Sequence, residues 1–123
     1  MANPNIVNVT AIYGNTAYLV PTGTSATAWT GLTPATGTTN KVGSIVATNV
    51  TASAANITVS INNATGGGGT AYRLAWQISV PGNSSLIVVD KSTSIYVGEA
   101  QSIVVTSGTS SAIEMVATYE AIS

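Results

Sequence analysis

The sequence predicts an all-β protein, an antiparallel β-sandwich of jelly-roll or Ig-like type with an extended N-terminal arm. Three observations carry this. Val, Ile, Thr and Tyr dominate, while strong helix formers are scarce and no window repeats at a helical period. Apolar and polar residues alternate through several stretches after residue 40. Turn signals recur roughly every 8–15 residues. With 123 residues, one domain and one core are expected.

Residues 6–13 alternate, with Val7, Val9, Ala11 and Tyr13 on one face. Gly14 and Asn15 are read as a break, residues 16–20 as a hairpin partner, and Pro21 as its stop. Residues 22–40 are rich in Thr, Gly, Pro and Ala. They are expected to be loop-like around one short strand at 26–30, with Trp29 as the sole anchor.

From Lys41 the pattern becomes regular. Strands are predicted at 42–50, at 57–61, and at 71–80, where Tyr72, Leu74, Trp76, Ile78 and Val80 share one face. On that reading Trp76 belongs to the core. Residues 62–69 (NNATGGGG) are expected to form a mobile hairpin tip. Residues 83–107 read as three short strands, 86–89, 94–97 and 102–106, forming a hairpin framework joined by tight turns. A last strand, 110–122, places Ile113, Met115, Ala117 and Tyr119 on one face and Glu114, Thr118 and Glu120 on the other.

All seven charged residues lie at or beyond Lys41. The expected organisation is therefore an arm, residues 1–40, packing on the sandwich or on a neighbour, followed by a sandwich domain, residues 41–123. The arm is expected to be dispensable for folding, so a chain lacking residues 1–30 would keep its β domain.

Composition narrows function. The chain has no Cys and no His, so thiolate chemistry, the commonest general base and the commonest metal ligand are all missing. Charged residues make up 6% against an ordinary value of about 25%, and the net charge is −1. Neither a nucleic-acid footprint nor a polybasic membrane patch can be built from three cations. Residues 66–69 lack the Lys-Ser/Thr that completes a phosphate loop. Glu114 and Glu120, about 20 Å apart along a strand, are too distant for a glycosidase pair. Asp90 and Glu99 flank the presumed hairpin near its turns, and Asp90–Lys91 reads as a turn with a local ion pair. No Ser or Thr has an activating base assigned by any motif. The chain is thus expected not to be an enzyme and to bind no cofactor or metal. A surface of Thr, Ser, Asn, Gly and Ala with near-zero net charge protects poorly against association, which suits a subunit packed against other copies or a scaffold. The arm supplies the candidate interface residues: Ile6, Val7, Val9, Tyr13, Tyr18 and Trp29.

The run LIVVDKSTSIYVGEAQSIVV (86–105), the C-terminal AIEMVATYEAIS and the opening MANPNIVNVT together resemble small virion structural proteins of tailed bacteriophages, especially cyanophages and other marine phages. In that group, two aliphatics followed by Asp-Lys-x-x-Ser-Ile-Tyr-Leu precede an acidic Gly-Asp turn, and the chain closes on Ser-Tyr-Glu-x-Ile-Ser. Asp90, Lys91, Ser94, Ile95, Tyr96, Tyr119, Glu120, Ile122 and Ser123 match. Ala100-Gln101 replaces Gly-Asp, with the glycine at 98. The resemblance implies a virion part. Its expected form is a capsid cement or decoration protein, homo-oligomeric with a trimer favoured, made in the host cytoplasm and placed on the capsid surface. The expected partners are the major capsid protein or other virion proteins, with no nucleic acid and no membrane. A neck or tail ring component and a carbohydrate-binding adhesion module are the alternatives.

Overall fold

The computed structural model describes residues 9–123. It is a sandwich of two antiparallel sheets, as the sequence predicts. Nine strands occur in order: β1 (Ile12–Leu19), β2 (Thr27–Ala28), β3 (Thr39–Asn49), β4 (Ala55–Asn62), β5 (Ala71–Val80), β6 (Ser84–Val89), β7 (Ile95–Val97), β8 (Ser102–Ser107) and β9 (Ile113–Ile122). One sheet has the order β1-β9-β3-β6, with β7 also on β3, and the other the order β2-β8-β4-β5. Taking β6 and β7 as one interrupted strand, the two sheets hold four strands each and successive strands alternate between them except at the β4–β5 hairpin. That wrapping is a jelly roll, and it excludes the Ig-like alternative.

β9 lies between β1 and β3, so the C-terminal strand is central to its sheet. Ile113, Met115 and Ala117 point into the core, and Glu114, Val116, Thr118 and Glu120 point out. Opposite them, Ile57 and Val59 of β4 and Ile103 and Val105 of β8 close the core. No helix among the described residues is long and apolar enough to cross a membrane.

The arm reading is corrected. β1 runs unbroken through Gly14 and Asn15 and pairs along its length with β9. An extended Gly-Asn needs no turn when a neighbouring strand supplies its ladder. Residues 27–32 cross to the other sheet, where Trp29 and Leu32 fill the core. The boundary expected at residue 40 falls inside β3.

The hairpin framework over 83–107 is corrected too. β6 pairs with residues 45–49 of β3, and β7 pairs with residues 40–42 of the same strand. Both run antiparallel to β3, so they are collinear pieces of one edge. Between them, Asp90 caps a single 3-10 turn. Its carboxylate accepts from the backbone N–H of Ser92 (2.9 Å) and Thr93 (3.1 Å) and from both hydroxyls, and Thr93 Oγ1 accepts from the Asp90 N–H. Bonds from Ser92, side chain and backbone, hold the Asp90 carboxyl below its ordinary value of 3.8. A lowered folded-state pKa stabilises above the unfolded value and is lost as pH falls through the folded one. Asp90→Ala is therefore expected to melt below the native chain at pH 7, with the gap narrowing once pH drops below 3.8; melting curves at both pH values check this.

The loop after β4 is not a free tip. Asn62 donates to the carbonyls of Gly67 (3.0 Å) and Gly68 (3.2 Å), and Ser102 donates to Ala64 O (2.7 Å). Gly69 sits at φ +71, where an added Cβ would collide with Asn63 and Ala64.

Candidate functional site

The residues expected at the interface scatter. Ile6 and Val7 lie outside the described residues. Val9 is half-buried ahead of β1. Tyr13 and Tyr18 are exposed on β1, Tyr18 at 75%. Trp29, expected to reach a neighbour, is 1% exposed inside its own sandwich, and its backbone N–H donates to Ile103 O at 2.8 Å. It is unable to anchor an arm elsewhere.

Register gathers a surface around Tyr18. Across the outer face of the first sheet, Tyr18 stands opposite Val116, Val116 opposite Val46, and Val46 opposite Ile87. Directly opposed side chains on one face lie about 5 Å apart, so these four form an apolar row spanning β1, β9, β3 and β6. Ile87 is 63% exposed, and Val116 is exposed as well.

Hydroxyl pairs flank the row. On one side Ser44 Oγ meets Thr118 Oγ1 at 2.7 Å, and on the other Thr48 Oγ1 meets Ser85 Oγ at 2.9 Å. Each pair already satisfies part of its hydrogen bonding within the chain. Covering this face therefore strips less water from unpaired polar groups than covering free hydroxyls would. Charges on the face are confined to its ends. Glu114 stands opposite Thr48, level with one hydroxyl pair, and Glu120 stands opposite Lys41. Beside that pair, the absence of side chains at Gly14 and Gly43 leaves a dent of about 220 Å³, also lined by Asn15, Thr118 and Tyr119.

Sequence reasoning found Tyr18 but missed Val46, Ile87 and Val116. One signal was available: Val116 is an apolar residue on the otherwise polar face of β9, and β6 is apolar on both faces.

The second sheet also departs from expectation. Trp76, assigned to the core by alternation, is 55% exposed, and Tyr72 and Ile78 are exposed with it. Two register shifts against β4 turn Trp76 outward, whereas Tyr72 and Ile78 still oppose Ile61 and Ile57 and are exposed at the sheet edge. Leu74 is an extra residue between the pairs Val59–Ala75 and Ser60–Arg73. Trp76 and Gln77 together oppose Thr58, with Gln77 at φ 47 and its N–H donating to Thr58 Oγ1 at 2.9 Å. Each inserted residue flips the face of the residues beyond it, so Ala75 turns inward and Trp76 outward. The Arg73 guanidinium stacks on the Trp76 ring at 4.6 Å. Nearby, Asn56, Thr58, Gln77, Thr106 and Ser107 line an uncharged cleft of about 200 Å³.

The carboxylates do not converge. Asp90 caps its turn. Glu99 accepts from the Gly37 N–H and ties together two loops at one end of the sandwich. Glu114 and Glu120 are exposed, six positions apart on β9. No family model, curated protein or solved structure matches the chain.

Proposed function

We propose that this chain is a virion structural protein of a tailed bacteriophage, a cement or decoration subunit that bridges major capsid subunits on the head. The observation carrying this reading is the apolar row Tyr18–Val116–Val46–Ile87, which crosses a whole sheet of a jelly roll whose surface is nearly uncharged. A face of this kind associates through buried area and shape, with little steering by charge. Jelly rolls serve in viral capsids and in lectins, so the fold is compatible with the role without assigning it. The resemblance of residues 86–105 and of the C-terminal strand to virion proteins points the same way.

The test is cryo-EM of intact particles together with an Ile87→Glu/Val116→Glu variant. Density for the jelly roll is expected on the head, between capsomers, with this face against the major capsid protein. The double variant is expected to keep its circular dichroism spectrum and to be missing from purified particles. Density in six or twelve copies at the neck or tail would assign the ring role instead. Absence of the chain from particles would overturn the reading.

The carbohydrate-binding alternative rests on the surface tryptophan, since Trp29 is buried in the core. Trp76, braced by Arg73 beside a cleft of amides and hydroxyls, is the aromatic a sugar ring could stack on. A glycan array in which Trp76→Ala abolishes a signal would favour it.

A further inference from the structure

A jelly roll has four sheet edges, and three of them here are blunted against pairing. β2 is only two residues long. β5 is bulged at two places and carries Arg73. The β6–β7 edge is broken by the Asp90-capped turn and carries Asp90 and Lys91. Short strands, bulges and charges are the usual devices that stop an edge from recruiting another strand.

β1 has none of them. It is eight residues long, IYGNTAYL, with no charge, no proline and no shift in its register against β9. Among the described residues nothing pairs with its second edge. The hydrogen bonds show which groups face that edge. Ala11 and Ser123 exchange both backbone bonds, Ala11 N–H to Ser123 O at 3.1 Å and Ser123 N–H to Ala11 O at 3.0 Å. In an antiparallel ladder bonded pairs alternate, so Tyr13, Asn15, Ala17 and Leu19 spend their backbone groups on β9. The N–H and C=O groups of Ile12, Gly14, Thr16 and Tyr18 are left pointing outward.

We infer that β1 pairs antiparallel with β1 of a second copy of this chain, joining two four-stranded sheets across a twofold axis at Asn15. Symmetry restricts the register, and Asn15 is the midpoint of the four outward-facing residues. A twofold axis perpendicular to the sheet keeps the two outer faces on one side, so only residues of like parity oppose each other. With Asn15 on the axis, Ile12 opposes Tyr18 of the second copy and Gly14 opposes Thr16. All four carry backbone groups that face this edge and are unpaired among the described residues, giving about eight new hydrogen bonds. Ile12 and Tyr18 are both exposed, and in the pair each covers the other. The apolar row of one copy then ends on the Ile12 of the next. Glycine at 14 leaves room beside the opposing Thr16. A second copy is the occupant because the strand is self-complementary in this register and carries no charge to repel itself. The threefold favoured from the sequence would have to use other surfaces, since a cyclic trimer does not pair a strand with its own equivalent. This inference does not depend on the virion reading.

Sedimentation equilibrium of the full chain is expected to give twice the 12.3 kDa chain mass. Hydrogen exchange is expected to protect the amides of Ile12, Gly14, Thr16 and Tyr18 in the dimer. Thr16→Pro removes an N–H that faces away from β9, so the monomer fold is kept while pairing is blocked. Thr16→Lys places a charge on the same edge should the proline variant fail to fold. Either variant is expected to return the mass to that of one chain and to speed exchange at those amides alone. A native chain that stays monomeric at high concentration, a monomer with those amides protected by its own residues 1–8, or a dimer that survives both substitutions would overturn the inference. Particle incorporation is a separate readout, so loss of the dimer and loss of capsid binding are told apart.

Discussion

Trp29→Ala is expected to destabilise the fold by about 4 kcal/mol, since truncating a buried tryptophan removes its transfer free energy and leaves a cavity that a close-packed core only partly fills. The indole lies between the two sheets within the core cluster that includes Leu32, Ile103 and Ala17, and Gly31 sits directly against its ring. A small domain has a total stability of only about 5–15 kcal/mol, so the loss is a large share. Urea unfolding followed by circular dichroism measures it, as a lower midpoint at unchanged slope. Trp76→Ala supplies the contrast. With its ring on the surface, it is expected to cost about 0.5 kcal/mol. Fluorescence separates the two residues without unfolding: acrylamide is expected to quench Trp76 strongly and Trp29 weakly. A Trp29→Ala protein within about 1 kcal/mol of the native chain would mean that the core is not organised around it. The same placement predicts that a chain lacking residues 1–30 does not fold, because β1, β2 and Trp29 leave with them.

What the sequence revealed depended on how local the determining interaction was. β9 was legible because its alternation is uninterrupted and both neighbours pair with it over nearly its whole length. The same rule failed in β5, where Leu74 and the Trp76–Gln77 pair each insert a residue against β4. A period of two has no tolerance for an insertion, so Trp76 and Ala75 exchanged faces relative to expectation. Gly14–Asn15 and residues 83–107 failed for a related reason. Turn-forming residues mark where a chain is able to reverse, and β9 and β3 supplied ladders that made reversal unnecessary.

The candidate surface was harder to read than the fold. Tyr18, Val46, Ile87 and Val116 come from four strands spread across the chain, and only the strand order brings them into one row. Tyr18 was picked out through the uncharged character of residues 1–40. Trp29 was picked out by the same logic and proved to be core, because one large apolar residue in a polar segment is as well suited to plugging a sandwich as to leaving it. Composition identifies a segment rich in interface-type residues, while only register decides which of them stay on the surface.

Asn49→Asp is the second large effect, expected at about 4 kcal/mol at neutral pH, the scale of leaving a buried charge without a partner. Asn49 is the last residue of β3 and is fully buried. Its amide donates to Ser53 O at 2.8 Å and to Val80 O at 2.9 Å, while its oxygen accepts from the Thr51 N–H at 2.9 Å and the Thr51 hydroxyl at 2.7 Å. Val80 ends β5 in the opposite sheet, so one side chain fastens the two layers together and closes the loop between β3 and β4. Aspartate has the same shape and keeps the acceptor half of this arrangement. It loses both donated bonds and turns a second oxygen toward two carbonyls. Burial and those carbonyls raise the folded-state pKa of the new carboxyl above its unfolded value of about 3.9. The deficit is therefore full above the folded pKa and shrinks as pH falls toward the unfolded value, where the protonated group again donates one bond. Urea melts at pH 7 and pH 4 are expected to show the gap between variant and native chain narrowing at the lower pH. Volume is unchanged by this substitution, so a gap that is large and acid-sensitive assigns the stabilisation to the hydrogen bonds between the sheets, whereas a gap below about 1 kcal/mol at pH 7 would assign it to the apolar core alone.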